Sequence, residues 1–227
     1  MACLLLAAAT FLALHVIVSG TRLRDAIVSA IDDAPYRGLF AIASLATLVW
    51  MARAYAAAPA LYLWQAPRSL QWLAVLLGLP AALLVTIGLT TPNPTTTGAE
   101  GLLAEGVPVH GIVRVTRHPF LGGVAIWALA HLLVNGDVAS LVLFGTLLAL
   151  ALLGPRLIDA KRARAYGQRW AAFAAQTSVL PFAAIAAGRT RLIVSEIGTW
   201  RLLLGVVVYV ALLAGHRWLI GVPALPQ

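Results

Sequence analysis

The chain has 227 residues, of which 61% are hydrophobic and only 11% charged, and its mean hydropathy is +0.91. A water-soluble core of this size does not need so much apolar surface, whereas a hydrocarbon layer of about 30 Å demands long uncharged runs. The formal net charge of +8 does not indicate nucleic-acid binding, because the basic residues lie in the connections between those runs. The single cysteine, Cys3, excludes a disulfide framework and a cysteine-based metal cluster.

The apolar runs predict an all-α, multi-pass transmembrane helical bundle with about six spans. They fall at residues 2–19, 38–58, 70–90, 119–134, 138–155 and 200–220. The first run has no basic leading region and no convincing cleavage site, so we interpret it as a retained span. No linker is long enough to separate domains, and we expect residues 1–227 to form one domain.

The first run carries His15, with Ser19 one helical turn later on the same face. Polar groups in a membrane helix usually face the bundle interior, because lipid offers them no hydrogen-bond partner. A structural histidine that bonds a backbone carbonyl and a functional histidine are both consistent with this pattern.

The fourth run opens with Arg117, His118 and Pro119. Proline is routine at a first helical position, where its missing N–H would be unpaired anyway, and Arg117 is equally explained as an orientation charge. The alternative is that the two basic residues and the helix N-terminus favour an anion such as a carboxylate or phosphate. Gly122 and Gly123 then allow close approach of another backbone or of a flat ligand.

Further along the fourth run, His131 has Trp127 and Asn135 one turn to either side. Neutral imidazole is a good iron ligand, and a helical bundle can hold a porphyrin between facing helices. Two histidines alone are weak evidence for such a site. Gly136 and Asp137 follow as a tight turn with a helix cap, so spans four and five are expected to form an antiparallel hairpin.

Residues 165–190 mix aromatic, Gln, Arg and Pro residues, which favours an interfacial or re-entrant segment over a seventh span. Thirteen of the sixteen Lys and Arg residues lie in the first, third and fifth connections. The positive-inside rule then places these connections in the cytoplasm and both termini outside. We expect an integral protein of a bacterial inner membrane.

Three blocks together resemble the NnrU family and its plant and cyanobacterial relative, 15-cis-zeta-carotene isomerase. They read LHVIVSGTRLR, RVTRHPFLGGVAIWALAHLLVNGDVASLVLFG and YGQRWAAFAAQTSVLPFAAIAAGR. The likeness extends from the first span to about Arg191. It implies a membrane protein that binds haem b and takes a lipophilic small molecule, acting as a redox-dependent cis–trans isomerase of a polyene or as an accessory to nitrogen-oxide metabolism (denitrification).

By this resemblance, His15 and His131 are the candidate haem ligands, and Trp127 lies beside the second of them. His118 and Arg117 are the candidate catalytic residues, in a supporting role at the cytoplasmic mouth. The first block departs from the isomerase pattern, because three residues separate His15 from the following serine where the isomerase has none.

Depth in the bilayer favours a different pair of ligands. With each helix centred in the membrane, His15 and His131 differ by about 15 Å in depth at 1.5 Å per residue. Two imidazoles on one iron place their Cα atoms on the order of 12 Å apart. His118 matches His15 in depth better, so we keep it as an alternative ligand.

Two other functions remain open. The segments RHPFLGG and YGQRWAAF are more distantly similar to isoprenylcysteine carboxyl methyltransferases, which would imply an S-adenosylmethionine site. Those enzymes carry paired glutamates where this chain has only Asp159. A non-enzymatic membrane scaffold, in which the histidines are structural, is the remaining alternative.

Overall fold

The computed structural model describes residues 1–96, 98–103 and 109–226. Within these ranges the chain forms eleven α-helices, a π-helical turn at Leu14–Val18 and a 3-10 turn at Glu100–Leu103. In chain order the helices are α1 Ala2–Ala13, α2 Arg22–Ile31, α3 Asp33–Ala56, α4 Arg68–Thr90, α5 Ile112–Val115, α6 Pro119–Val134, α7 Val138–Tyr166, α8 Gln168–Gln176, α9 Ala183–Ala186, α10 Val194–Ile197 and α11 Thr199–Ile220.

The all-α, multi-pass fold class is confirmed. Helices α3, α4, α7 and α11 are long and apolar enough to cross a membrane. A fifth crossing is made if α1 with its π-helical turn and α2, which meet at a bend of 77°, form one broken span. The apolar helix α6 has 16 residues and is shorter than a usual span. With α6 counted as a sixth crossing, the prediction of about six spans is consistent with the structure.

Side-chain contacts fix the directions of the helices. Trp50, near the end of α3, donates a hydrogen bond to the sulfur of Cys3 at the start of α1. Tyr55, also near the end of α3, bonds Ser140 at the start of α7. Helices α1 and α7 therefore run in the same direction, and α3 runs opposite to both.

Helix α6 is antiparallel to α7 and packs closely on α4. A Cβ on Gly154 of α7 would lie 3.0 Å from Leu121 near the start of α6. A Cβ on Gly123 of α6 would lie 2.7 Å from the carbonyl oxygen of Ala81 in α4. Of the two roles considered for this glycine, the structure shows close approach of a backbone.

The turn between α6 and α7 is built as predicted. Asp137 caps α7 by accepting a hydrogen bond from the backbone N–H of Ser140 at 2.9 Å. The Gly136 carbonyl accepts the Leu63 N–H at 2.7 Å, and a Cβ on Gly136 would collide with the Trp64 carbonyl oxygen. The bundle has two ends. The basic end is the one at which α6 begins and α7 ends. This turn and the loop after α3 form the other end, which we call the opposite end.

Helix α2 lies between two predicted apolar runs, and helix α7 extends well beyond its own. Helix α2 begins after Thr21, whose hydroxyl accepts the Leu23 N–H as an N-cap. Helix α7 continues through Pro155 to Tyr166, eleven residues past the predicted span. Its extension places polar side chains against the loops of the basic end. Residues 165–190 contain the short helices α8 and α9 and no helix of spanning length, as expected.

The orientation of the chain in the membrane stays a prediction, which reporter fusions test. We expect a periplasmic reporter to be active at the C-terminus and a cytoplasmic reporter to be active after Ala163, because the thirteen-to-three charge bias places the basic end inside. Cytoplasmic activity at the C-terminus would contradict this orientation, because it requires either an odd number of crossings or an inverted bundle.

Candidate functional site

The basic end holds a cluster of three charged or polar side chains, one from α7 and two from the segment that precedes α6. Asp159 of α7 accepts hydrogen bonds from the guanidinium of Arg117, of which the shortest is 2.5 Å. The other carboxylate oxygen of Asp159 lies 2.7 Å from Nε2 of His118, the residue that precedes α6. One carboxylate therefore bridges the arginine and the imidazole.

This cluster is largely removed from solvent. The exposed fractions of the side chains are 2% for His118, 13% for Arg117 and 19% for Asp159. Charge-assisted hydrogen bonds of this kind are short and strong, and a partly buried ion is stable only when it is paired. Arg117 and His118 thus already hold a carboxylate of this chain in the place where one interpretation of the sequence put an external anion.

The strand-like segment before α6 positions the cluster. The hydroxyl of Thr116 accepts the His118 N–H and donates to the Val179 carbonyl at 2.8 Å. The Arg117 N–H donates to the Ser178 carbonyl, and the Arg117 carbonyl accepts a hydrogen bond from the hydroxyl of Thr95. The backbone of Arg117 is therefore fixed by two separate loops, which limits its freedom to move toward a ligand.

Aromatic and cationic neighbours complete this end. The Arg117 guanidinium lies over the ring of buried Trp170, 5.9 Å from its centroid, a cation–π geometry. Arg162, one turn beyond Asp159 on α7, is buried and donates to the Pro94 carbonyl at 2.9 Å. The cluster is therefore the point where α6, α7, α8 and the loop after α4 meet.

His131 lies in the last turns of α6 among aromatic rings. Its ring stacks on Phe144 of α7 with centroids 4.7 Å apart and lies 4.5 Å from the ring of Trp127. Its Nδ1 is 2.8 Å from the Trp127 carbonyl oxygen, one turn back along the helix. With Nδ1 as the donor in this bond, Nε2 is the nitrogen left for a ligand.

His15 has the same local geometry in the π-helical turn that follows α1. Its Nδ1 lies 2.8 Å from the Phe11 carbonyl oxygen, again one turn back. Its Nε2 is 3.1 Å from the hydroxyl of Ser44 on α3, and its ring contacts Phe11 and Phe40. Single π-turns occur frequently at functional sites, and this one carries the candidate ligand.

The two rings turn toward each other in depth. Each ring folds back toward the N-terminus of its own helix, and α1 and α6 run in opposite directions. The difference in depth between the rings is therefore smaller than that between their Cα atoms. The contacts recorded for His15 lead to α3 and those for His131 lead to α7, so the structure does not join the two directly.

The two histidines form a donor set whose chemistry is compatible with haem. Among the described residues, no group of three or more His, Cys, Asp or Glu side chains is placed to hold a metal ion. Two imidazoles, each with Nδ1 bonded to a backbone carbonyl, would suit haem iron, because the porphyrin would supply the remaining ligands. His15 and His131 therefore have suitable chemistry to be these ligands.

The sequence did not identify several residues as members of these sites, and it drew attention to Asp159 only by comparison with the methyltransferases. Asp159 is more than 40 residues from its partners, and Ser44 and Phe144 lie on helices that only the fold brings near the histidines. His216, near the end of α11, is close enough to His131 to interact electrostatically with it. The sequence feature that could have indicated a role for Asp159 is that it is the only acidic residue in a basic segment.

A second ion pair at the basic end lies outside the spans and depends on pH. Arg114 of α5 donates two hydrogen bonds to Glu196, which also accepts the Gly111 N–H at 2.8 Å. Bonding to Arg114, and then to Gly111, lowers the pKa of Glu196 from 4.5 to about 2. A carboxylate with a depressed pKa stabilises the fold above its unfolded pKa and loses this effect as the pH falls.

We therefore expect wild-type protein to unfold at a higher temperature than Glu196→Gln from neutral pH down to about pH 4.5. Below that the difference should shrink as the pH approaches about 2. Thermal unfolding of both proteins in one detergent across this range measures it. A difference that stays constant down to pH 3 would contradict the assignment.

Comparison with known proteins agrees with the resemblance seen in the sequence. Two curated proteins named 15-cis-zeta-carotene isomerase, chloroplastic, are similar to this chain. The protein from Arabidopsis thaliana is 40% identical over 79 residues, and that from Zea mays is 39% identical over 82 residues. These segments cover 35% and 36% of this chain but only 22% of each relative. No solved structure matches the chain significantly.

The NnrU protein family matches residues 3–224, nearly the whole length of the chain. This range includes both intramembrane histidines and the cluster around Asp159. The chain therefore belongs to the NnrU family.

Proposed function

We propose that this protein is a haem-b-binding membrane isomerase that acts on a cis double bond of a lipophilic polyene. The observation that carries the proposal is the matched geometry of His15 and His131, each of which keeps Nε2 as the nitrogen for a ligand. The names of the two curated relatives support the reaction class, although each is matched over only 22% of its length.

His15 and His131 would hold haem b, which would supply a redox-active iron next to the substrate. The carbonyls of Phe11 and Trp127 fix the orientation of the two imidazoles that would hold the haem. Ser44, which now lies 3.1 Å from Nε2 of His15, would have to release that nitrogen. Trp127 and Phe144 would provide an apolar wall that suits a polyene.

The cluster at the basic end has a supporting role in this proposal. Asp159 holds the imidazole of His118 through Nε2, which makes Nδ1 the nitrogen available for proton exchange. Arg117 neutralises Asp159 and keeps it in place. Because both partners are engaged within the chain, the geometry gives no specific support to an S-adenosylmethionine site at Arg117 and His118.

The setting proposed for this activity is a bacterial inner membrane with both termini outside, from which a lipophilic substrate enters laterally. An accessory role in nitrogen-oxide metabolism is the second form of the proposal, and it rests on the name of the family alone.

Incubation of the reconstituted protein with a cis-polyene tests the reaction. We expect all-trans or partly isomerised product after chemical reduction and much less in oxidised protein, because the proposed chemistry needs reduced iron. Equal product with and without reductant would contradict the redox mechanism. A haem-free protein that bound S-adenosylmethionine would favour the methyltransferase alternative.

A further inference from the structure

Two apolar segments near the basic end lie outside every spanning helix and are exposed. The turn at residues 179–182 includes Leu180, which is 71% exposed, and Phe182, which is 54% exposed. The segment at residues 192–194 reads Leu-Ile-Val, and all three side chains are exposed. Exposure of this many apolar side chains to water is unfavourable. Such side chains on a loop mark a contact with a membrane or with a partner.

Hydrogen bonds hold both segments on α5, close to the start of α6. The Phe182 N–H donates to the Val115 carbonyl at 2.8 Å, and Arg114 donates to the hydroxyl of Thr190 at 3.0 Å. The Ser178 carbonyl accepts the Arg117 N–H two residues before α6 begins. The segments therefore lie at the level at which an apolar helix enters the membrane.

The backbone of the turn is strained at Phe182, whose side chain faces outward. Phe182 has φ of +65°, in the left-handed region that bulky L-residues rarely adopt. Its side chain gains little protein contact in return, since more than half of it is exposed. Strain of this kind is a reason to look for a function outside the protein's own packing.

The charges around the two segments favour an anionic surface. Arg191 is exposed and makes no hydrogen bond or ion pair with any residue that the structure describes. Arg189, also exposed, donates to the Ala175 and Thr177 carbonyls, which leave its positive charge uncompensated. The acid of this region, Glu196, is already paired with Arg114.

We propose that residues 179–182 and 192–194 insert into the headgroup and upper acyl region of the leaflet at the basic end, where Arg191 binds an anionic phospholipid headgroup. Apolar insertion combined with one or more arginines at the headgroup level is the general mode of interfacial anchoring. The anchor would hold the Arg117–His118 segment at the membrane surface, independently of any haem or catalytic activity.

Spin labels on the full chain in lipid vesicles test the insertion. Single cysteines are introduced as Leu180→Cys and Val194→Cys in a Cys3→Ser background, with Gln168→Cys on exposed α8 as the matched control. We expect labels at 180 and 194 to collide with oxygen and to be protected from a water-soluble nickel chelate. If the labels at both positions are as accessible to the nickel chelate as the control label at 168, the proposal is overturned. Protection only in native membranes, and not in vesicles, would assign the surface to a protein partner and overturn it as well.

Two further variants separate insertion from folding. Phe182→Gly relieves the positive φ, so the protein should unfold at the same or a higher temperature while the label at 180 becomes more accessible to nickel. Arg191→Gln should reduce the protection gained when phosphatidylglycerol is added to phosphatidylcholine vesicles, whereas Arg164→Gln, a matched exposed arginine, should not. An equal response of both arginine variants would contradict the lipid contact at Arg191.

Discussion

Protein with His131→Ala is expected to lose most of its bound haem while it still inserts into the membrane, and His15→Ala should behave alike. Each substitution would remove one of the two proposed haem ligands, but the helices keep their apolar contacts with the bundle. The absorbance ratio of the Soret band to the protein band, measured on purified protein expressed with ample haem, gives the haem content. Size-exclusion chromatography in detergent checks that each variant is folded.

His118→Ala and His216→Ala are the matched controls for this experiment. His118 is engaged with Asp159 at the basic end, and His216 bonds the Val222 carbonyl through Nδ1 at the opposite end. Both variants should retain haem, and His118→Ala should show reduced activity. Loss of haem in His118→Ala alone would make His118 the second ligand, as the argument from bilayer depth suggested. Loss in His216→Ala would place the site between α6 and α11.

Asp159→Ala is expected to reduce the free energy of unfolding by roughly 3 kcal/mol, the second large effect. Removal of one member of a buried ion pair leaves the other charge without a partner, which costs more than the pair itself contributed. Here both Arg117 and His118 lose their acceptor. Unfolding by titration with a denaturing detergent, compared with wild type under the same conditions, measures the change.

Asp25→Ala provides the control for charge removal. Its carboxylate is more than half exposed and lies 3.6 Å from Arg24, so its loss should change the free energy of unfolding by no more than about 0.5 kcal/mol. Equal effects of the Asp159 and Asp25 substitutions would show that the cluster at the basic end does not organise the fold. A haem content that falls in Asp159→Ala but not in Asp25→Ala would connect the cluster to the haem site.

Much of the fold follows from local features of the sequence. Long apolar runs require helices in a bilayer, where each backbone group must be bonded within its own segment. The turn at Gly136 and Asp137 was predictable because both residues act locally, one by admitting a close carbonyl and one by capping α7. Pro119 likewise marks the first residue of α6.

The parts that were not predicted depend on contacts between distant residues. Helix α7 runs eleven residues past its apolar run, because Asp159 and Arg162 find partners on other elements and can be buried there. Hydropathy cannot indicate this extension, since these residues read as a solvated basic connection. The proximity of Ser44 to His15 depends in the same way on how α1 and α3 align.

The two candidate haem ligands could be predicted only in part from the sequence. The sequence pattern identifies His15 and His131 as intramembrane residues, but not which nitrogen of each ring is available. That follows from the carbonyls of Phe11 and Trp127, which lie one turn before each ring. The opposite directions of α1 and α6 then decide that the rings turn toward each other in depth, which the span boundaries alone did not reveal.

The absorption spectrum of the purified wild-type protein, expressed with ample haem, tests the central proposal most directly. We expect a Soret band that shifts on reduction, together with a pyridine haemochrome spectrum of haem b at about one haem per chain. A folded, membrane-inserted protein with no Soret band under these conditions would contradict the haem site at His15 and His131.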